Sequence, residues 1–215
     1  MKKTLRKELR RRQPVKETGK RYLIVCEGRT TEPRYPEGIN RFWQRPASLT
    51  IKHEFSSPRE IVQHAVQLKA ESNRKSKGDP LWEFDAIWCF FDRDAHPNIS
   101  EALNQARDNN IKVAFSDPNF ELWLLLHFHD QTAFLTRQEA VRICKEHMPG
   151  YEKVPDMNLL CPQFETAARR ASALRERQSQ NNLNRQNPWT EADVFLENLR
   201  NKGVQIPDKR AATFT

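Results

Sequence analysis

Short apolar runs alternate with amphipathic helical patterns along the first half of the chain. The apolar runs predict strands at residues 22–26, 48–55, 84–91 and 111–116, and the intervening patterns predict helices at 32–42, 57–68 and 100–110. Strands that alternate with helices in this way are typical of an α/β fold, with a parallel sheet joined by right-handed crossovers. The run FDAIWCFF is apolar on both of its faces, which indicates a central strand.

The second half of the chain is predominantly helical in pattern. Asp117 is predicted to cap a helix that has Pro118 in its first turn, and further helices are predicted at residues 137–147, 163–178 and 190–198. We therefore expect an α/β core over residues 21–130 and a helical C-terminal extension, residues 131–215, packed on that core. The polar stretch at 71–80 ends in Gly-Asp-Pro and predicts a loop.

The net charge of +8 is concentrated at the N-terminus. Residues 1–20 contain nine Lys or Arg against two Glu, a net +7, which leaves +1 for the other 195 residues. We expect a disordered tail over residues 1–20, which either binds phosphate backbones without reading sequence or is a solvated leader. In the body of the protein a smaller basic patch is predicted, made of Arg169, Arg170, Arg175 and Arg177.

The cysteines and the hydropathy indicate a cytoplasmic protein. No apolar run approaches the ~20 residues that span a bilayer, so no membrane partner is expected. The four cysteines, Cys26, Cys89, Cys144 and Cys161, lie far apart in the sequence and form no Cys-x-x-Cys pair. They are expected to be buried, reduced thiols.

Acidic residues follow two of the predicted strands directly. Glu27 comes after the first strand, and Asp92 and Asp94 come after the third. Ligands of parallel α/β sheets bind beyond the carboxyl ends of the strands, so these three side chains are predicted to face one crevice. Carboxylates that converge without a fixed counter-charge repel one another, and a bound Mg²⁺ or Mn²⁺ would remove that repulsion.

Four further residues are candidates for the same site. Glu121 lies at the start of a predicted helix, where it either complements the helix dipole or holds a second metal ion. Arg29 and Arg93 flank the acids and are placed to clamp phosphate oxygens. His96 lies in a predicted loop nearby and is a candidate for proton transfer.

Other chemistry-bearing residues are better explained by packing. His127 lies on an apolar helix face and is expected to be a hydrogen-bonded core histidine. Trp82, Trp88 and Trp123 are likewise expected in the core. The chain contains no P-loop and no Gly-x-Ser-x-Gly motif, which argues against nucleotide hydrolysis and serine-based catalysis.

Four segments, in order, resemble the motifs of the RloB family: LIVCEGRTTEPRYPEGI, FFDRDAHP, DPNFELWLLLHF and NPWTEADVFLENL. RloB proteins are Toprim-related, are found beside bacterial restriction loci and are linked to abortive phage defence. The resemblance extends over residues 21–198. It implies a Toprim-like fold in which Glu27, Asp92 and Asp94 are metal ligands, and phosphodiester chemistry as in Toprim nucleases, primases and topoisomerases.

The pattern and the resemblance together predict a nuclease that depends on Mg²⁺ or Mn²⁺ and acts in anti-phage defence. Its substrate is DNA or RNA, tRNA included. The resemblance also implies a homodimer and partner proteins from a restriction or defence system. The alternative is a non-catalytic Toprim-like module that binds a nucleic acid or a partner. An Asp-x-Asp phosphatase is less favoured, because its nucleophile would end the first strand, which here ends in Glu27.

Overall fold

A mostly parallel sheet with helices on both faces forms the centre of the molecule, as the computed structural model shows for residues 19–44, 47–93 and 99–200. In the described residues the sheet has five strands in the order β2–β1–β3–β4–β5. The strands are β1 (Arg21–Cys26), β2 (Ser48–Lys52), β3 (Ala86–Asp92), β4 (Lys112–Asp117) and β5 (Trp189–Thr190). The first four are parallel and β5 pairs antiparallel with β4. The predicted α/β fold and the central position of β3 are confirmed.

The helices connect the strands and then cover one face of the sheet. They are α1 (Thr31–Phe42), α2 (Pro58–Ser76), α3 (Ile99–Asp108), α4 (Glu121–Leu125), α5 (Arg137–His147), α6 (Met157–Leu160), α7 (Phe164–Gln180) and α8 (Ala192–Arg200), with 3₁₀ turns at Pro80–Trp82 and Cys161–Gln163. None of these described helices has both the length and the apolar character needed to cross a bilayer.

Helix α2 continues well beyond its predicted end. The prediction of a loop from residue 71 is wrong up to Ser76, because the polar residues there are good helix formers. Lys75 pairs with Glu71 one turn earlier at 2.6 Å, and Ser72 Oγ donates to Trp82 O at 2.6 Å. Trp82 itself is 48% exposed, with Lys75 over its ring, so the prediction of a core position for this tryptophan is wrong.

The predicted helix cap at Asp117 is also wrong. Asp117 is the last residue of β4, where it pairs with Trp189, and α4 begins only at Glu121. The Asp117 carboxylate accepts hydrogen bonds from Arg93 Nε at 3.1 Å and Asn187 Nδ2 at 3.1 Å, so tertiary contacts take the place of the cap. The short strand β5 was not predicted, and the last helix accordingly begins at residue 192 rather than 190.

The two faces of the sheet have separate hydrophobic cores. One face packs on α2 and α3, with Val25, Phe91 and Phe115 in its core. The other packs on the C-terminal helices, whose Phe195 lies against the ring of Phe90 at 5.0 Å. Successive strand residues alternate between these cores, as expected for a strand buried on both faces.

Helix α8 completes the second core. Phe195 is fully buried and its ring also contacts Tyr22 at 6.3 Å and Trp88 at 5.2 Å. Tyr22 Oη donates to Asn198 O at 3.2 Å across 176 positions of sequence. Residues after 130 therefore share a core with the sheet, while the division at residue 130 stays a prediction. Residues 1–18 of the predicted tail and 201–215 of the extension lie outside the described residues.

All four cysteines are buried and none forms a disulfide, as predicted. Burial raises the pKa of the Cys161 thiol to about 11, and it raises the pKa values of Cys26, Cys89 and Cys144 further. Neutral, unreactive thiols follow from these shifts.

Candidate functional site

A cavity of about 140 Å³ opens at the carboxyl ends of β1 and β3. The two strands are neighbours in the sheet, with Cys26 opposite Phe90, so the residues that follow them meet at one edge. Four carboxyl groups line the cavity, those of Glu27, Glu32, Asp92 and Glu121, together with three cations, Arg29, Arg137 and Lys153. We call it the acidic cavity.

Glu27 follows β1 and carries an unpaired oxygen. Its Oε2 atom is buried and has no hydrogen-bond partner among the described residues. Burial raises the pKa of Glu27, the guanidinium of Arg137 opposes that rise, and the Glu32 carboxylate adds to it. A buried carboxylate oxygen without a donor is rare, and it indicates a site for a cation or an ordered water.

Asp92 is the last residue of β3 and is 7% exposed. Burial raises its pKa well above the usual range, and the nearby Glu32 and Glu121 carboxylates raise it further. Arg137 acts in the opposite direction, with its Nη2 atom 3.6 Å from Asp92 Oδ2. The charged form of Asp92 is therefore costly unless further positive charge reaches the cavity.

Glu32 belongs to the cavity and was not among the predicted site residues. It lies in the first turn of α1, and a Cβ atom at Gly28 would come within 2.1 Å of its Oε2. Only glycine at position 28 allows this close approach. Burial raises the pKa of Glu32, Glu121 adds to the rise, and Lys153 opposes it. A signal was present in the sequence, because α1 starts at the same sheet edge as Glu27.

Glu121 is the first residue of α4 and is 2% exposed. Its Oε1 accepts a hydrogen bond from Tyr151 Oη at 3.1 Å and lies 3.0 Å from Lys153 Nζ. Thr31 Oγ1 donates to Lys153 O at 2.9 Å, which fixes this segment beside the cavity. The helix position fits the dipole interpretation and the cavity fits the ligand interpretation, so both stay predictions.

The two predicted arginines lie in different places. Arg29 lines the acidic cavity and pairs with Glu54 at 3.3 Å, with 73% of its side chain exposed. Arg93 does not line this cavity. Its Nε donates to Asp117 Oδ2 and its Nη2 donates to Arg185 O at 2.7 Å, so it lines a separate groove.

The structure describes one of the two histidines considered, since Asp94 and His96 lie outside the described residues. His127 is a hydrogen-bonded core histidine, as predicted: Tyr35 Oη lies 2.7 Å from its Nε2, and Trp123 O lies 3.0 Å from its Nδ1. Burial lowers the pKa of His127 to about 4, so the ring is neutral near pH 7.

The predicted basic patch of the body is wrong for Arg175. Its guanidinium is 4% exposed and donates to Asp193 Oδ2 at 2.6 Å and to Thr190 O at 2.7 Å. Arg170 is likewise engaged, pairing with Asp130 at 3.1 Å. Arg175 therefore belongs to the core and is not placed to bind a phosphate backbone.

The acidic cavity can be compared with what a magnesium site needs. Among the described residues no group of three or more His, Cys, Asp or Glu is arranged to hold an ion. Mg²⁺, however, usually keeps several waters and takes only one or two protein carboxylates. Glu27, with its unpaired Oε2, and the neighbouring Asp92 meet that requirement.

The sequence argument that these acids lack a fixed counter-charge is wrong. Arg137 and Lys153 come from distant segments and pair with Asp92 and Glu121. Four carboxylates against three cations still leave the lining at −1 when all are charged. The cavity therefore remains suited to a further positive charge.

Comparison with known proteins identifies the family. Neither the curated proteins nor the solved structures gave a match to this chain. The family model described as RloB-like protein matches residues 22–199, which include every strand and helix around the acidic cavity. The chain belongs to the RloB-like family.

Proposed function

We propose that this protein is a metal-dependent nuclease of the Toprim type, acting in bacterial anti-phage defence. The observation that carries the proposal is the convergence of Glu27, Asp92 and Glu121 on one cavity, with Glu27 Oε2 buried and unpaired among the described residues. Membership of the RloB-like family supports it through the relation of that family to Toprim proteins.

Glu27 and Asp92 would hold Mg²⁺ or Mn²⁺, with Glu121 and Asp94 as further ligands. The bound metal would supply Lewis-acid polarisation of the scissile phosphate and a water of lowered pKa. Arg29, at the exposed rim, neutralises charge on the phosphate oxygens.

Two residues orient the acids. Tyr151 donates to Glu121 and fixes the direction of its carboxylate. Arg137 holds Asp92 from the other side, at 3.6 Å. Both contacts exist without substrate, so the acids are pre-positioned, which reduces the reorganisation needed during the reaction.

The size of the acidic cavity limits what enters it. A volume of about 140 Å³ equals a few water molecules at ~30 Å³ each. It accommodates ions, waters and phosphate oxygens, but not a nucleoside. The sugar and base of the substrate must therefore lie outside it.

The test is cleavage of a substrate panel by the purified protein. Plasmid, single-stranded DNA, total RNA and tRNA are incubated with Mg²⁺, Mn²⁺ or EDTA. We expect cleavage that EDTA and Asp92→Asn both abolish. Asp108→Asn is the matched control, because Asp108 ends α3 at the opposite edge of the sheet. Cleavage that survives in Asp92→Asn would contradict the assignment.

A non-catalytic binding module is the second candidate. The ion pairs of Asp92 with Arg137 and of Glu121 with Lys153 favour it, since they neutralise these acids without a metal. It predicts metal-dependent thermal stabilisation, or nucleic-acid binding, with no cleavage of any substrate.

The defence role and the partners need experiments in cells and in solution. Phage plating on cells that carry the wild type or Asp92→Asn tests the defence role, with protection expected only from the wild type. Light scattering of the purified protein tests the proposed homodimer. Co-purification from the native host tests for defence-system proteins.

A further inference from the structure

A second, larger depression adjoins the acidic cavity. It has a volume of about 720 Å³, within the ~300–1,000 Å³ typical of ligand sites. Arg137 lines both depressions, so they share a wall. The residues that matter for its chemistry are Arg93, Phe134, Arg137, Asn184, Gln186 and Asn187, and we call it the Phe134 groove.

Phe134 presents its ring to solvent from a fixed backbone. The residue is 72% exposed, the highest value among the large apolar residues of the described chain. The next residue is held by Asn187, whose Oδ1 accepts from Leu135 N at 2.9 Å and whose Nδ2 donates to Leu135 O at 2.7 Å. Thr136 then caps α5 in a capping box with Glu139. The ring is thus an ordered aromatic platform.

The charge of the Phe134 groove is opposite to that of the acidic cavity. Arg93 and Arg137 line it together with one acid, Asp117, for a net +1. The Asp117 carboxylate is already engaged by Arg93 and Asn187. An anion that enters therefore meets two guanidinium groups and no free carboxylate from the lining described.

Amide side chains complete the groove. Gln186 and Asn184 are both exposed at its wall. Amides offer donors and acceptors together, which match the polar edges of nucleobases. An aromatic ring, cations and amides are the side chains with which proteins hold unpaired bases.

We propose that the Phe134 groove binds an unpaired nucleotide of the substrate, with the base stacked on Phe134 and a neighbouring phosphate directed by Arg137 towards the acidic cavity. A base in a duplex has both of its faces covered by its neighbours, so only an unpaired base can stack in this way. The inference rests on the proposed nuclease function and assigns it a single-stranded DNA or RNA segment as substrate.

The experiment measures binding without cleavage. Fluorescence anisotropy, in EDTA, follows a short labelled oligonucleotide of mixed sequence, prepared as single-stranded DNA, single-stranded RNA and duplex. Phe134→Ala is compared with the wild type, with Phe134→Trp as the variant that retains stacking. Phe42→Ala is the matched control, because Phe42 is 55% exposed and ends α1, away from the groove. An abasic oligonucleotide of the same length removes the stacking partner instead.

We expect Phe134→Ala to bind the preferred single strand about 5- to 150-fold more weakly, the loss that one base stack gives. Phe134→Trp and Phe42→Ala should bind like the wild type, and duplex or abasic probes should not distinguish Phe134→Ala from it. The arm with the larger loss, DNA or RNA, identifies the source of the base.

Equal binding of single strands by Phe134→Ala and the wild type would overturn the inference, as would an equal loss on the abasic probe. Because binding is measured without metal, its result is separate from the nuclease proposal. Loss of binding in Phe134→Ala without cleavage of any substrate by the wild type would support the groove and refute the nuclease.

Discussion

Replacing Asp193 by Asn tests whether Arg175 is a core residue or a ligand for nucleic acid. The pair is almost fully buried, with side chains 4% and 2% exposed, and it joins α7 to α8. Arg175 also donates to Thr190 O, so it holds β5 against the sheet. Asp193→Asn leaves a buried guanidinium charge uncompensated, which costs about 3–5 kcal/mol.

For a chain of this length a loss of that size lowers Tm by ~6–20 °C. Urea unfolding followed by tryptophan fluorescence gives the free energy directly. Glu146→Gln is the control, since it breaks an exposed pair with Arg142, whose side chains are 62% and 58% exposed, and should cost at most ~1 kcal/mol. The double variant Arg175→Met/Asp193→Leu should recover most of the lost stability, because apolar side chains carry no desolvation cost. If Asp193→Asn loses no more than Glu146→Gln, the guanidinium is solvated and our placement of Arg175 is refuted.

Three further predictions concern the acidic cavity and the N-terminus. The raised pKa of Asp92 means that its stabilising contribution is fully present below its unfolded pKa and is lost as pH rises through the folded pKa; the metal-free protein should therefore gain stability between pH 7 and pH 5 in urea melts, and Asp92→Asn should reduce that gain. Glu121→Gln should lower activity by orders of magnitude if Glu121 is a ligand; if it serves the helix dipole and Lys153, cleavage assayed beside melting should show ~0.3–1 kcal/mol of lost stability and little else. Deleting residues 1–20 should weaken binding at low salt and flatten its salt dependence by ~0.9 per duplex phosphate lost, with cleavage at saturation retained; an unchanged slope would identify a passive leader.

The parts of the fold that local sequence determines were predicted well. Strand β1 is a continuous apolar run, and Glu27 must follow it at the sheet edge whatever the rest of the chain does. Asp92 follows β3 for the same reason. Their meeting at one cavity required only that β1 and β3 be neighbours, which parallel topology makes common.

The parts that depend on distant segments were not predicted. Arg137 and Lys153 reach the acidic cavity from beyond residue 130, and no local pattern connects them to Asp92 or Glu121. Asp117 has the sequence of a helix cap, yet pairing with β5 extends β4 through it. Tertiary pairing outweighed the local propensity in this case.

The position of Phe195 determines when during synthesis the protein can become active. Its ring fills the core between Tyr22, Trp88 and Phe90, so the sheet that carries the acids keeps an apolar face uncovered until α8 has been made. Tyr22 and Asn198, joined by a hydrogen bond, are 176 residues apart, or roughly 9–35 s of translation at ~5–20 residues per second. A ribosome-bound chain that lacks α8 cannot close this core, and neither can a chain truncated before it. For a cell that synthesises the proposed nuclease, incomplete chains would therefore be inactive, and cleavage would begin only with molecules released from the ribosome.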